Sequence, residues 1–148
     1  MADPKITWQV YEENDDYNEY IPARNYTEEG SFTSGQYIHK RIRVWNNYYG
    51  SSDVSDANDC NLVLAFKSYE DNFLLHLINV KIGVDDWTAP NIDTDRGIIP
   101  MKSLSGLANN GTISNYDNYC DIEINIGPLP PNMRCELKSL YFYLEYSK

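Results

Sequence analysis

The chain has 148 residues, 42% hydrophobic and 14% aromatic, with 13 tyrosines and a formal net charge of −10. A domain of this length buries about 70% of its unfolded surface, so its core stands without an obligatory metal or disulfide, and the apolar content excludes wholesale disorder. The negative charge argues against nucleic acid, whose phosphates are bound by Lys and Arg, and against docking on an anionic bilayer.

The start, MADPKITWQV, has no basic segment and no apolar core of signal-peptide type, and no apolar run reaches membrane-spanning length. Synthesis in a cytoplasm without a signal peptide is therefore expected. Within KITWQVY, Ile6, Trp8 and Val10 alternate as in a strand. The stretch EENDDYNEYIPARNYTEE, residues 12–29, sets Glu12, Glu13, Asp15, Asp16, Glu19, Glu28 and Glu29 against Arg24 alone. Charge runs are usually solvated faces. This one also carries Tyr17, Tyr20, Ile21 and Tyr26, which a purely solvating segment does not need. It reads as an extended acidic N-terminal arm, residues 1–35 with the first strand, ahead of a body spanning 36–148. Its complement is the basic cluster HKRIR at 39–43. There His39, Arg41 and Arg43 occupy one strand face while Ile38, Ile42 and Val44 occupy the other. The expected interface, within one molecule or onto a neighbouring copy, sets Tyr17, Tyr20 and Tyr26 against His39, Arg41 and Arg43.

The next stretch, WNNYYGSSDVSDANDC at 45–60, offers three readings. Asp53, Asp56, Asn58 and Asp59 are oxygen ligands of the type calcium takes, but their spacing is not that of an EF-hand. Asp and Ser also favour turns by bonding their own backbone, so a turn-rich connection is the expectation and calcium the second reading. VDDWTAPNIDTD, with Asp85, Asp86, Asp93 and Asp95, is weighed the same way. The third reading is sugar binding: Trp45, Tyr48, Tyr49 and Trp87 as platforms, with Asn46 and Asn47 bonding hydroxyls.

NLVLAF (61–66) is continuously apolar, as in a central strand covered on both faces. FLLHLINVKIGV (73–84) reads as a strand because Ile78, Val80, Ile82 and Val84 alternate. Short strands are expected near Ile98 and Ile99 and over 112–114, with a helical turn over 101–110. CDIEINI places Cys120, Ile122, Ile124 and Ile126 on one face and Asp121, Glu123 and Asn125 on the other. After the proline-rich GPLPPN, the run CELKSLYFYLEY puts Leu140, Phe142, Leu144 and Tyr146 on one face, and these two runs read as antiparallel neighbours. Seven or eight short strands without a long helix imply an all-β, single-domain antiparallel β-sandwich, of jelly-roll or immunoglobulin-like type.

Chemical signatures are sparse. Three cysteines, Cys60, Cys120 and Cys135, leave one unpaired; buried thiols are the expectation, with a Cys120–Cys135 bridge across a hairpin as the alternative. His39 and His76 accompany no nucleophile motif, and SLSGL lacks the first glycine of a GxSxG elbow. No enzyme activity and no cofactor is expected.

The signal-less start, the acidic arm, RIRVWNNYYG, FKSYEDNFLL and the closing LKSLYFYLEY together resemble the small all-β structural proteins of tailed bacteriophages: head-decoration, neck and tail components. The resemblance spans nearly the whole chain and assigns no functional residue. It implies a non-enzymatic virion assembly protein, located in the virion, whose partners are other virion proteins and copies of itself. A carbohydrate- or other ligand-binding β-sandwich module is the alternative.

Overall fold

The computed structural model describes residues 1–13, 18–23, 28–33, 37–67, 69–113, 117–128 and 134–148. The chain is all-β. Its strands are β1 (Ile6–Glu13), β2 (Asn18–Ala23), β3 (Glu28–Thr33), β4 (Ile38–Asn46), β5 (Asn58–Phe66), β6 (Ile78–Ile82), β7 (Asn91–Asp93), β8 (Arg96–Pro100), β9 (Tyr119–Ile126) and β10 (Arg134–Ser147). They form two antiparallel sheets, ordered β2-β1-β4-β9-β6 and β3-β10-β5-β8-β7. The described residues contain no helix long and apolar enough to cross a membrane.

Alternation builds the core. Ile42 and Val44 of β4, Ile78 and Val80 of β6, and Cys120, Ile122, Ile124 and Ile126 of β9 point from the first sheet toward Leu62, Leu64 and Phe66 of β5, Ile99 of β8 and Leu140 of β10. Register explains the shared face: Ile42 stands opposite Ile122, and Val80 opposite Ile124. β5 is the central strand that its apolar run predicts, with Leu62 through Phe66 all buried. Val63 points away from the core yet is closed off, flanked in register by Tyr143 and Ile98.

Three expectations are corrected. First, β9 and β10 are not neighbours: β9 lies between β4 and β6, β10 between β3 and β5, in the other sheet. Second, the run 73–84 is not one strand. Tyr69–Leu77 is a 3-10 helix, and β6 begins at Ile78. Leu74 and Leu75 are both buried, and a strand would send two successive side chains to opposite faces. Third, no helical turn forms over 101–110. Leu104 instead bridges Ala57, and Thr112 and Ile113 lie outside any strand.

From Ile6 on, the residues expected to form a separate arm are strands wherever they are described. β1 pairs with β2 and β4 in the first sheet, and β3 pairs with β10 in the second. Pro22 sits in β2, an edge strand, the place in a sheet where proline is tolerated.

Candidate functional site

The outer face of the first sheet carries five of the residues singled out from sequence: Tyr20, His39, Arg41, Arg43 and Trp45. Register places Trp45, Arg43, Arg41 and His39 of β4 opposite Tyr119, Asp121, Glu123 and Asn125 of β9. On the other flank Gln9 of β1 stands opposite Arg43. Tyr11 and Tyr20 stack edge to face at 5.1 Å across the β1–β2 pair. The Arg41 guanidinium lies 3.9 Å from the Tyr11 ring centre, and that of Arg43 lies 3.8 Å from Tyr20 and 5.3 Å from Tyr119. Arg43 also forks onto Asp121, Nε donating to Oδ1 at 2.5 Å and Nη2 to Oδ2 at 3.2 Å. Bidentate geometry over an aromatic ring is the arrangement that suits arginine and not lysine. Burial pushes the Tyr20 phenol above its ordinary range, with Asp121 adding to the shift.

Of the expected interface residues, Tyr20, Arg41 and Arg43 therefore meet one another inside the molecule. His39 sits apart from them, its Nε2 3.5 Å from Glu123 Oε1 and its ring 6.2 Å from Trp87. Tyr17 and Tyr26 lie outside the described residues. Tyr11, Tyr119 and Asp121 complete the layer and were not singled out from sequence. Alternation had placed Asp121 on the polar face of its strand, but nothing local to it reveals that Arg43 is its partner.

The sugar-platform set separates. Trp45, Asn46 and Asn47 are buried. Trp45 packs against Tyr48 at 4.7 Å and Tyr119 at 5.0 Å and donates its indole N–H to Gln9 Oε1 at 2.8 Å. The Asn46 Oδ1 accepts from the Lys5 N–H, while its Nδ2 donates to the Ser55 and Leu104 carbonyls. The Asn47 Nδ2 donates to the Ser52 and Gly106 carbonyls. Asn47 takes a φ of 60°, a region Asn tolerates better than most residues. These three residues are a correction to the ligand-contact reading, since none of them faces solvent. Tyr49 and Trp87 stay exposed, and Tyr48 is half-buried.

The same bonds answer what 45–60 is for. The connection between β4 and β5 is laced to residues 104–118. Asp56 Oδ1 accepts from the Gly106 N–H and Asp53 Oδ1 from the Ala108 N–H, both at 2.8 Å. The buried Asn118 donates to the Asn46, Ser105 and Leu107 carbonyls, and Asn109 Nδ2 donates to the Asn47 carbonyl. A Cβ on Gly106 would lie 2.1 Å from the Val54 carbonyl oxygen, so only glycine lets the two backbones approach. Asp53 and Asp56 thus cap backbone donors, as the turn reading requires. Among the described residues no group of three or more His, Cys, Asp or Glu is placed to hold a metal.

Beside these loops opens a cleft of about 510 Å³, lined by Ile82, Met101, Tyr119 and Cys120 among others, with Asp85, Lys102 and Asp117 supplying charge. Cys60 and Cys120 are buried free thiols. Burial pushes the Cys120 thiol up to about 11, opposed by Lys102. The thiolate being the reactive species, alkylation of Cys120 by iodoacetamide at pH 8 is expected to run at least about tenfold slower in the folded protein than in urea. Peptide mass mapping checks this. Because the folded-state pKa lies above the unfolded value, the thiol costs stability only as pH rises past the unfolded pKa toward about 11. No protein-family model, curated protein or solved structure matches the chain.

Proposed function

We propose that the chain is a non-enzymatic structural protein of a tailed-phage particle, a head-decoration, neck or tail component made in the host cytoplasm and docked to other virion proteins. We read the sheets as a jelly roll. What supports that type is the pairing order: β4 and β5 run against β9 and β8, and then β6 lies on β9 and β7 on β8, the pattern of a two-stranded ribbon rolled on itself.

The observation that carries the assembly reading is an apolar set at one end of the sheets. Val84 is 96% exposed, Tyr49 64%, Leu107 58% and Ile113 49%. All four stand on connections that leave or enter the ends of β4, β6 and β9 at Asn46, Ile82 and Tyr119. The loops that carry them are tied by hydrogen bonds: Tyr49 N–H and Gly111 N–H both donate to Asn109 Oδ1, Tyr119 Oη donates to the Ile113 carbonyl, Asn118 Nδ2 to the Leu107 carbonyl, and Asp85 N–H to the Ile82 carbonyl. Large apolar side chains held outward on pre-ordered loops are a contact surface, since ordering costs little further entropy on binding. In this reading the acidic excess of residues 12–29 is a second contact element.

The test is a gradient. In a lysate where the native particle forms, tagged protein is expected to sediment with particles, and a Val84→Asp, Leu107→Asp, Ile113→Asp triple variant of unchanged melting temperature to remain at the top. Wild-type protein that stays at monomer mass in such a lysate, and whose tryptophan fluorescence shifts on adding sugar, would replace this reading with the ligand-binding module. The cleft beside Tyr119 is the observation that favours that second reading.

A further inference from the structure

The cleft has a composition suited to one kind of side chain. Ile82, Pro100 and Met101 supply apolar lining, the Tyr119 ring supplies a π face, and Asp85 and Asp117 supply negative charge. Lys102 is the chain's own cation there, and it is held loosely. Its Nζ is 3.9 Å from Asp117 Oδ1 and 5.8 Å from the Tyr119 ring centre, both near the outer limit of useful contact, and its side chain stays 46% exposed. On the neighbouring face Arg43 makes the same combination, carboxylate plus tyrosine ring, at 2.5 Å from Asp121 and 3.8 Å from Tyr20. The protein thus displays a tight and a slack version of one recognition mode, side by side.

Resting on the assembly reading above, we propose that this cleft receives an arginine or lysine side chain of a partner protein, which displaces Lys102 while apolar residues flanking that side chain settle on Val84 and Ile113. Charge decides the occupant. Asp85, Asp117 and the Arg43-paired Asp121 face Lys102 as the one cation among the described lining residues of the cleft. Asp85, Asp117 and Lys102 are exposed, in a chain of net charge −10. A second copy presenting the same end would bring like charges together, and an anionic membrane would be repelled. A basic protein surface with an apolar centre is complementary in both respects.

The probe is the capped tripeptide acetyl-Leu-Arg-Leu-amide, titrated into the full chain and followed by amide chemical shifts. Shifts are expected to concentrate at Val84, Lys102, Asp117 and Tyr119, to shrink as salt is raised, and to be absent with acetyl-Leu-Glu-Leu-amide. Asp85→Asn with Asp117→Asn is expected to weaken binding about fivefold. Lys102→Ala is expected to tighten it by about two- to fivefold, because the internal competitor is gone. All three positions are exposed, so folding is not at stake. Equal shifts with the glutamate peptide, or weaker binding after Lys102→Ala, would overturn the inference. So would shifts at the cleft that grow with protein concentration alone, which would make the occupant a second copy. The two readings fail separately. A cleft that ignores the peptide in a protein that still sediments with particles sinks this inference and spares the assembly. A cleft that binds the peptide in a protein that stays off particles sinks the assembly.

Discussion

Trp45→Ala is expected to cost about 3–5 kcal/mol, the range for removing a fully enclosed aromatic, and to lower the melting temperature by about 6–20 °C at the 2–4 °C per kcal/mol typical of this chain length. Trp45 is 0% exposed although it stands on the outer face of its sheet. Its ring is enclosed between Tyr48 and Tyr119, and its N–H is the partner of Gln9 Oε1. Truncation would open a cavity beneath two tyrosines and leave a buried amide oxygen without its donor. Trp45→Phe separates the two contributions: it keeps much of the ring packing and loses the hydrogen bond, for about 1–2 kcal/mol. Thermal unfolding followed by circular dichroism measures both. A sugar platform would behave in the opposite way, with an unchanged melting temperature and lost binding. An unshifted transition in Trp45→Ala would therefore return Trp45 to the list of ligand contacts.

The same residue marks where sequence reading stops. Alternation in YIHKRIRVW set Ile38, Ile42 and Val44 on one face and His39, Arg41 and Arg43 on the other, and the sheet has those faces, with Trp45 on the second. Alternation reports which side of a strand faces the core. It does not report that a distant segment will roof the other side, and Tyr119, 74 positions along, does so. Neighbour choice is hidden for a similar reason. The proline-rich stretch after Ile126 suits either a hairpin or a step between sheets about 10 Å apart. Antiparallel pairing of β9 with β10 was thus a fair expectation with no local signal against it. β5 was legible because burial on both faces leaves an unbroken apolar run. The 3-10 helix was not, because Ile78, Val80 and Ile82 continue its apolar pattern in strand rhythm and blur where it ends.

The loop end was the least legible part, since its polar residues look solvated in sequence and are buried in the fold. Asn46→Ala tests that burial, with an expected loss of about 2–4 kcal/mol. Asn46 is 0% exposed. Its amide serves the Lys5 N–H at 2.9 Å, the Ser55 carbonyl at 3.0 Å and the Leu104 carbonyl at 3.2 Å. It thereby ties the chain start and the two connections that follow β4 and β8. Alanine would strand the Lys5 N–H and the Ser55 carbonyl where water has little access and leave the Leu104 carbonyl with the Ala57 N–H alone, and a stranded buried group costs more than a satisfied one gains. Asn46→Asp sharpens the test through pH. The introduced carboxylate keeps an acceptor for Lys5 but faces two carbonyl oxygens without a proton, so burial and the carbonyls raise its folded-state pKa above the ordinary value of about 3.9. The penalty relative to wild type is then smallest below that unfolded value, where the acid is protonated in both states. It grows as pH climbs through the raised folded-state pKa to neutrality. Paired urea titrations of wild type and Asn46→Asp at acidic and neutral pH read this difference directly, and a gap that stays constant across that range would mean that water reaches the site and that the asparagines do not hold the loops together.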